Sequence, residues 1–106
     1  MPTTSSPTGA QTFMVVATLH PDTDFAEFNA LRDDEHKQLE VLRADGKIGA
    51  HYVSPARQAT FIEVIAADEK QVTETLETLP FARFFDAHVY PTTPPDAAEL
   101  AHRARL

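Results

Sequence analysis

The sequence has no cysteine, only three glycines, no long apolar run and no cluster of basic residues. Without cysteine there are no disulfide staples, no thiolate metal sites and no cysteine nucleophile. A thiol-free chain is compatible with the cytoplasm, which is the expected location. None of the three glycines forms a Gly-x-Gly, so no phosphate loop or dinucleotide fingerprint is present. A Gly-x-Ser-x-Gly elbow is also missing, and Ser54 before Pro55 reads as a turn residue. The longest apolar run, Phe13 to Leu19 with only Thr18 interrupting, is far too short to span a bilayer, and no membrane partner is expected. Nine Lys and Arg are scattered among sixteen acids for a net charge of −7, so no basic stripe forms and nucleic acid is not an expected partner. Five histidines and many acids are present, but no His-x-x-x-His or His-Glu-x-x-His spacing, and no metal is expected.

At 106 residues there is room for one domain. Residues 1–12 hold Thr, Ser, Pro and Gly but no Lys or Arg, which reads as a disordered tail rather than a secretory leader. Residues 13–106 read as the folded domain. Phe13–Leu19 is a buried strand closed by Pro21-Asp22. Asp22, Thr23 or Asp24 caps a helix running to about Ala44, where Asp45-Gly46 ends it. Its apolar stripe is Phe25, Phe28 and Leu31, then Leu39 and Leu42, and the missing step lands on Glu35. Lys47–Ser54 and Gln58–Ile65 are strands joined by the turn Pro55-Ala56-Arg57. Asp68 opens a second helix with Val72, Leu76 and Leu79 on one face, ended by Pro80. Phe84–Tyr90 is a fourth strand ended by Pro91, and Asp96–Arg105 a short tail helix that reaches toward a partner subunit.

The order βαββαβ with a C-terminal helix predicts an α+β, ferredoxin-like fold. Two helices cover one sheet face. The other carries Phe, Tyr and His and needs a cover as well, which two sheets meeting back to back provide. A homodimer or higher homo-oligomer is therefore expected, and the thin core of so short a chain points the same way.

Three segments, Glu35-His36 with nine residues before Gly46-Lys47, then Leu79-Pro80, then Asp86-Ala87-His88-Val89-Tyr90-Pro91, resemble the muconolactone isomerase family over about Phe13 to Pro91. The resemblance implies a small, cofactor-free, dimeric α+β barrel that moves a double bond in a lactone by proton transfer. It places acidic family positions at Glu35 and Asp86, and the helix-to-strand turn at Gly46-Lys47. His88 stands where the family usually offers a second carboxylate, and Ile48, Gly49, Ala50 and His51 where its second strand is rich in Trp and Arg. An Arg there would suit a lactone carboxylate through its fork geometry. The related YCII-like branch carries a pocket histidine eleven residues before the glycine, where this chain has Glu35, with His36 one residue off.

Glu35 is the sharpest chemical signal, because a carboxylate on an apolar stripe is desolvated and its pKa rises toward values useful to a general acid or base. Otherwise a slight rotation of the helix returns it to solvent. Asp86, His88 and Tyr90 share one strand face, where a carboxylate can orient an imidazole and a tyrosine can steady an enolate oxygen. The plainer reading is a polar dimer seam. His51 and Tyr52 point to opposite faces, so at most one of them lines a given pocket; Glu63 shares the face of Phe61. His20 reads as a strand-end loop residue and His102 as a solvated tail residue.

The functional expectation is a cofactor-free isomerase or cyclase acting on a small lactone, enol or carbonyl substrate. Glu35, Asp86 and His88 are its catalytic candidates; His51, Tyr52, Glu63 and Tyr90 are its substrate-binding candidates. The alternatives are a non-catalytic binding or accessory protein and a cofactor-free oxygenase of the same fold.

Overall fold

A computed structural model describes residues 10–94. They run β1 (Gln11–Leu19), α1 (Phe25–Ala30), α2 (Arg32–Ala44), β2 (Ile48–Ser54), β3 (Ala59–Ala66), α3 (Glu69–Glu77) and β4 (Phe85–Thr92). Two 3-10 turns, Pro55–Arg57 and Pro80–Phe84, join β2 to β3 and α3 to β4. The sheet order is β2-β3-β1-β4, with every neighbour antiparallel. Hence β1 and β2 are parallel with β3 between them, and β3 and β4 are parallel with β1 between them. This is the split βαβ arrangement of an α+β, ferredoxin-like domain, and it is compatible with a dimeric α+β barrel. Among the described residues no helix is long and apolar enough to cross a membrane. The tail helix expected at Asp96–Arg105 lies outside the described residues, as do His102 and all but the end of the N-terminal tail.

Local chemistry sets the element boundaries. Asp24 caps α1, its Oδ1 accepting from the backbone N–H groups of Ala26 and Glu27 at 2.9 and 3.3 Å. Asp68 caps α3 in the same way by accepting from Gln71, while the Gln71 side chain accepts from the Ala67 N–H. At the end of α2 the Gly46 N–H donates to Arg43 and the Lys47 N–H to Leu42, with Gly46 at φ +75°. That is the Schellman stop.

Three of the boundaries that differ from the sequence reading have a clear physical reason. The first helix is two helices that break at Leu31 (φ −96°, ψ 0°). The break swings α1 so that Phe28 stacks on Phe81, with ring centroids 4.0 Å apart. Strand β1 starts at Gln11, because Gln11 and Thr12 pair with Ala66 and Ile65 of β3. Strand β4 passes through Pro91 to Thr92, which an edge strand tolerates because it has one unpaired side.

Strand alternation divides the sheet into two faces. Phe13 and Val15 of β1, Ile62 and Val64 of β3 and Ile48 of β2 pack beneath Leu39 and Leu42 of α2, Val72 of α3 and Leu79. Each fully buried side chain of this kind contributes roughly 1.5–3 kcal/mol. The opposite face carries no helix among the described residues.

The Schellman stop yields a stability prediction. A Cβ at Gly46 would meet nothing within 4 Å, so Gly46→Ala adds no clash and costs only the left-handed backbone. Urea denaturation should show a loss of about 1–2 kcal/mol. An unchanged midpoint would mean that α2 ends by some other means.

Candidate active site

The helix-covered face is filled at one end and empty at the other. One row across it pairs Ile48 with Val64, Val64 with Phe13 and Phe13 with Pro91, and the first three of these side chains pack in the core beneath the helices. Four residues further along β1, the row is Val53, Thr60, Ala17 and Ala87. Two alanines and a threonine cannot reach the helix layer, so a cavity of about 510 Å³ remains above them. Its roof is formed by Phe25 and Phe28 of α1, Glu35 and Leu39 of α2, Leu76 of α3 and Phe81 of the second 3-10 turn. Phe28 also meets Phe84 edge-on at 5.4 Å, so an aromatic cluster closes one end.

Glu35 is the buried charged side chain of the described residues, at 7% exposure. The Phe81 N–H donates to its Oε1 at 2.8 Å. Phe81 follows Pro80 at the start of a 3-10 turn, where backbone donors have no partner inside the turn, and Glu35 accepts one of them. Burial pushes the Glu35 carboxyl above the ordinary glutamate value, and the Phe81 hydrogen bond offsets only part of that rise. Oε2 has no hydrogen-bond partner among the described residues. The arrangement is an anchored carboxyl with one oxygen left to act at a cavity wall.

His51 of β2 lines the same cavity. Burial, then the positive fields of Arg43 and His36, push its pKa down, which favours the neutral imidazole. Arg32 and His36 of α2 stand at the rim, both exposed. Arg32 donates to Asn29 Oδ1 at 2.7 Å and lies 5.7 Å from the Phe28 ring centroid.

Of the residues singled out from sequence, the structure brings Glu35 and His51 to the cavity and leaves the others elsewhere. Phe85 and Ala87 face the cavity, so alternation sends Asp86, His88 and Tyr90 to the open face. The expectation that Asp86 and His88 act with Glu35 as catalytic residues is thereby corrected, since the sheet separates them from it within the chain. Asp86 instead lies 2.9 Å from His20 Nε2, tying the end of β1 to β4. Tyr52 and Tyr90 are 67% and 55% exposed on the open face. Glu63 is there too, where its Oε1 accepts from the Ala50 N–H at 3.1 Å across the β2 irregularity. Gly49 lacks the Cβ that would collide with that carboxylate, so Glu63 serves the bulge rather than a ligand.

Arg32 and His36 were missed from sequence, as was the aromatic roof. One signal was available for Arg32: it stands three residues before Glu35, on the same helical face.

The family model described as muconolactone delta-isomerase matches residues 12–97 of the chain. No curated protein matches it.

The raised Glu35 pKa fixes the sign of a stability test. A group whose folded pKa exceeds its unfolded one stabilises fully below the unfolded value and loses that contribution as pH rises through the folded value. Wild-type stability should therefore fall relative to Glu35→Gln as the pH climbs out of the ordinary glutamate range, measured by urea denaturation of both proteins. A difference running the other way would mean that the fold favours the ionised carboxylate.

Proposed function

Because the chain belongs to the muconolactone delta-isomerase family, we propose that it is an isomerase that moves a double bond in a small carbonyl compound by proton transfer. The supporting observation is Glu35, a buried carboxyl held by one backbone N–H with its other oxygen at the wall of an apolar cavity.

As the carboxylate, Glu35 removes a proton from the carbon beside the substrate carbonyl. The C–H electron pair moves into the carbonyl system and leaves negative charge on oxygen. The same proton then returns to the far carbon of the extended enolate, so the double bond moves and the composition is unchanged. A base with a raised pKa suits this role, because it binds the proton in one half-step and releases it in the next. His51, held toward its neutral form, can donate a ring N–H to the enolate oxygen. The low-dielectric Phe wall strengthens that contact and keeps water from competing for the proton.

The open sheet face supports a homodimer as part of the same reading. Tyr52, Phe61, Val16 and His88 form one row across all four strands with no helix above them among the described residues. A second copy placed back to back would remove these rings from water.

The reading is tested by isomerisation of an unsaturated lactone, followed by absorbance and by solvent-deuterium incorporation. Glu35→Gln should lower kcat by about 10²–10⁴-fold. Asp86→Asn, altered on the other face, should stay within about twofold, as surface substitutions away from a site do. The rate should rise with pH along a limb whose midpoint lies above the ordinary glutamate value. Equal losses in the two variants would remove Glu35 from its role.

A further inference from the structure

The cavity also limits which substrates it can hold, and this step rests on the reading that the cavity is the ligand site. Its volume, about 510 Å³, falls in the range of pockets that enclose a drug-sized molecule rather than one small ring. A single-ring ligand would leave much of the wall without partner atoms and lose the dispersion contacts that hold an apolar molecule. Thr60, Ala17 and Ala87 line the cavity on the sheet side and the Phe28 and Phe81 rings on the helix side. A planar ring system can stack on or meet the edge of such aromatic rings, a contact worth more than its buried area alone.

Charge narrows the class further. Among the described residues the one buried charged group at the cavity is Glu35, itself an acid. The cationic side chain of Arg32 is exposed at the rim, and its guanidinium is already engaged with Asn29 and Phe28. A ligand carboxylate drawn into the cavity would lose its water, gain no buried cation among the described residues and face a second carboxyl. Neutral ketones and enols lose far less on entry: an enol O–H can donate to Glu35 Oε2, and a ketone oxygen can accept from a His51 ring N–H.

We propose that the cavity takes an uncharged, flat ketone or enol of at least two fused rings, with its oxygenated edge toward Glu35 and its hydrocarbon edge against the Phe28–Phe81 stack.

Calorimetric titration of the purified protein with 2-naphthol, 2-naphthoate and phenol tests each element of the class. Expected is 2-naphthol binding at least tenfold more tightly than either of the others. Ala17→Leu, which fills the cavity floor and removes no contact, should weaken 2-naphthol at least tenfold, with its circular dichroism spectrum confirming the fold. Naphthoate binding as tightly as naphthol would overturn the charge argument, and phenol binding as tightly would overturn the size argument. Naphthol binding unaffected by Ala17→Leu would overturn the cavity as the site. Deuterium exchange into 2-tetralone, compared between wild type and Glu35→Gln, separates this proposal from the proton-transfer reading. A preserved naphthol preference with equal exchange in both proteins would reject Glu35 as the base while leaving the ligand class standing.

Discussion

The structure depends on one strand. β1 pairs with β3 on one side and β4 on the other, so its two-residue alternation is imposed on both neighbours. Phe13, Val15 and Ala17 point one way; Thr12, Met14, Val16 and Thr18 point the other. A slip of one residue would send Phe13 and Val15 to the open face and leave Leu39, Leu42 and Val72 with no apolar surface to cover. The same alternation takes Ala17 to the floor of the cavity and Val16 to the row with His88 and Phe61. Core, cavity and open face are thus three consequences of a single register.

Within that register the size gradient along β1 separates stability from function. The end beginning at Phe13 is packed against α2 and α3, and its burial supplies much of the free energy of the fold. The end at Ala17 gives that packing up, and an acid is buried beside the gap. Burying Glu35 costs stability whenever it ionises, and one backbone hydrogen bond recovers only part of the cost. A glutamine could accept the same Phe81 N–H without that penalty. A titratable group thus stands at a position where an amide would carry no charge to desolvate.

The order of elements was legible in the sequence because each depends on neighbouring residues: the β-rich run at Phe13, a cap among Asp22, Thr23 and Asp24 that the structure gives to Asp24, the cap at Asp68, and the stop at Gly46. Glu35 was legible for the same reason, as an acid breaking an apolar stripe. The break at Leu31 was not, because Leu31 itself continues the stripe and only the distant Phe81 ring gives α1 a reason to turn. Alternation told that Asp86, His88 and Tyr90 share a face and that His51 and Tyr52 do not. It could not tell which face the helices would cover, since that depends on the register between strands far apart in sequence. The cavity was hidden in the same way. Ala17, Thr60 and Ala87 are unremarkable one by one and make a floor only when the pairing sets them in a row.

The two faces are also mechanically joined. The sheet is one backbone layer thick, so the strands that carry Ala17, His51 and Ala87 over the cavity carry Val16, Tyr52 and His88 on the reverse. A strand shift that opened or closed the cavity floor would move the open face by the same amount. β2 is the place where such a shift is easiest, since its ladder to β3 is already irregular between Ile48 and His51. Glu63 bridges that irregularity from the open side through Ala50, while His51 leaves it on the cavity side. β2 thus carries a bulge that Glu63 meets from the open side, while the residue that follows the bulge, His51, lines the cavity. Glu63, on the face away from the cavity, therefore still bears on it, because it holds the strand from which a cavity residue projects.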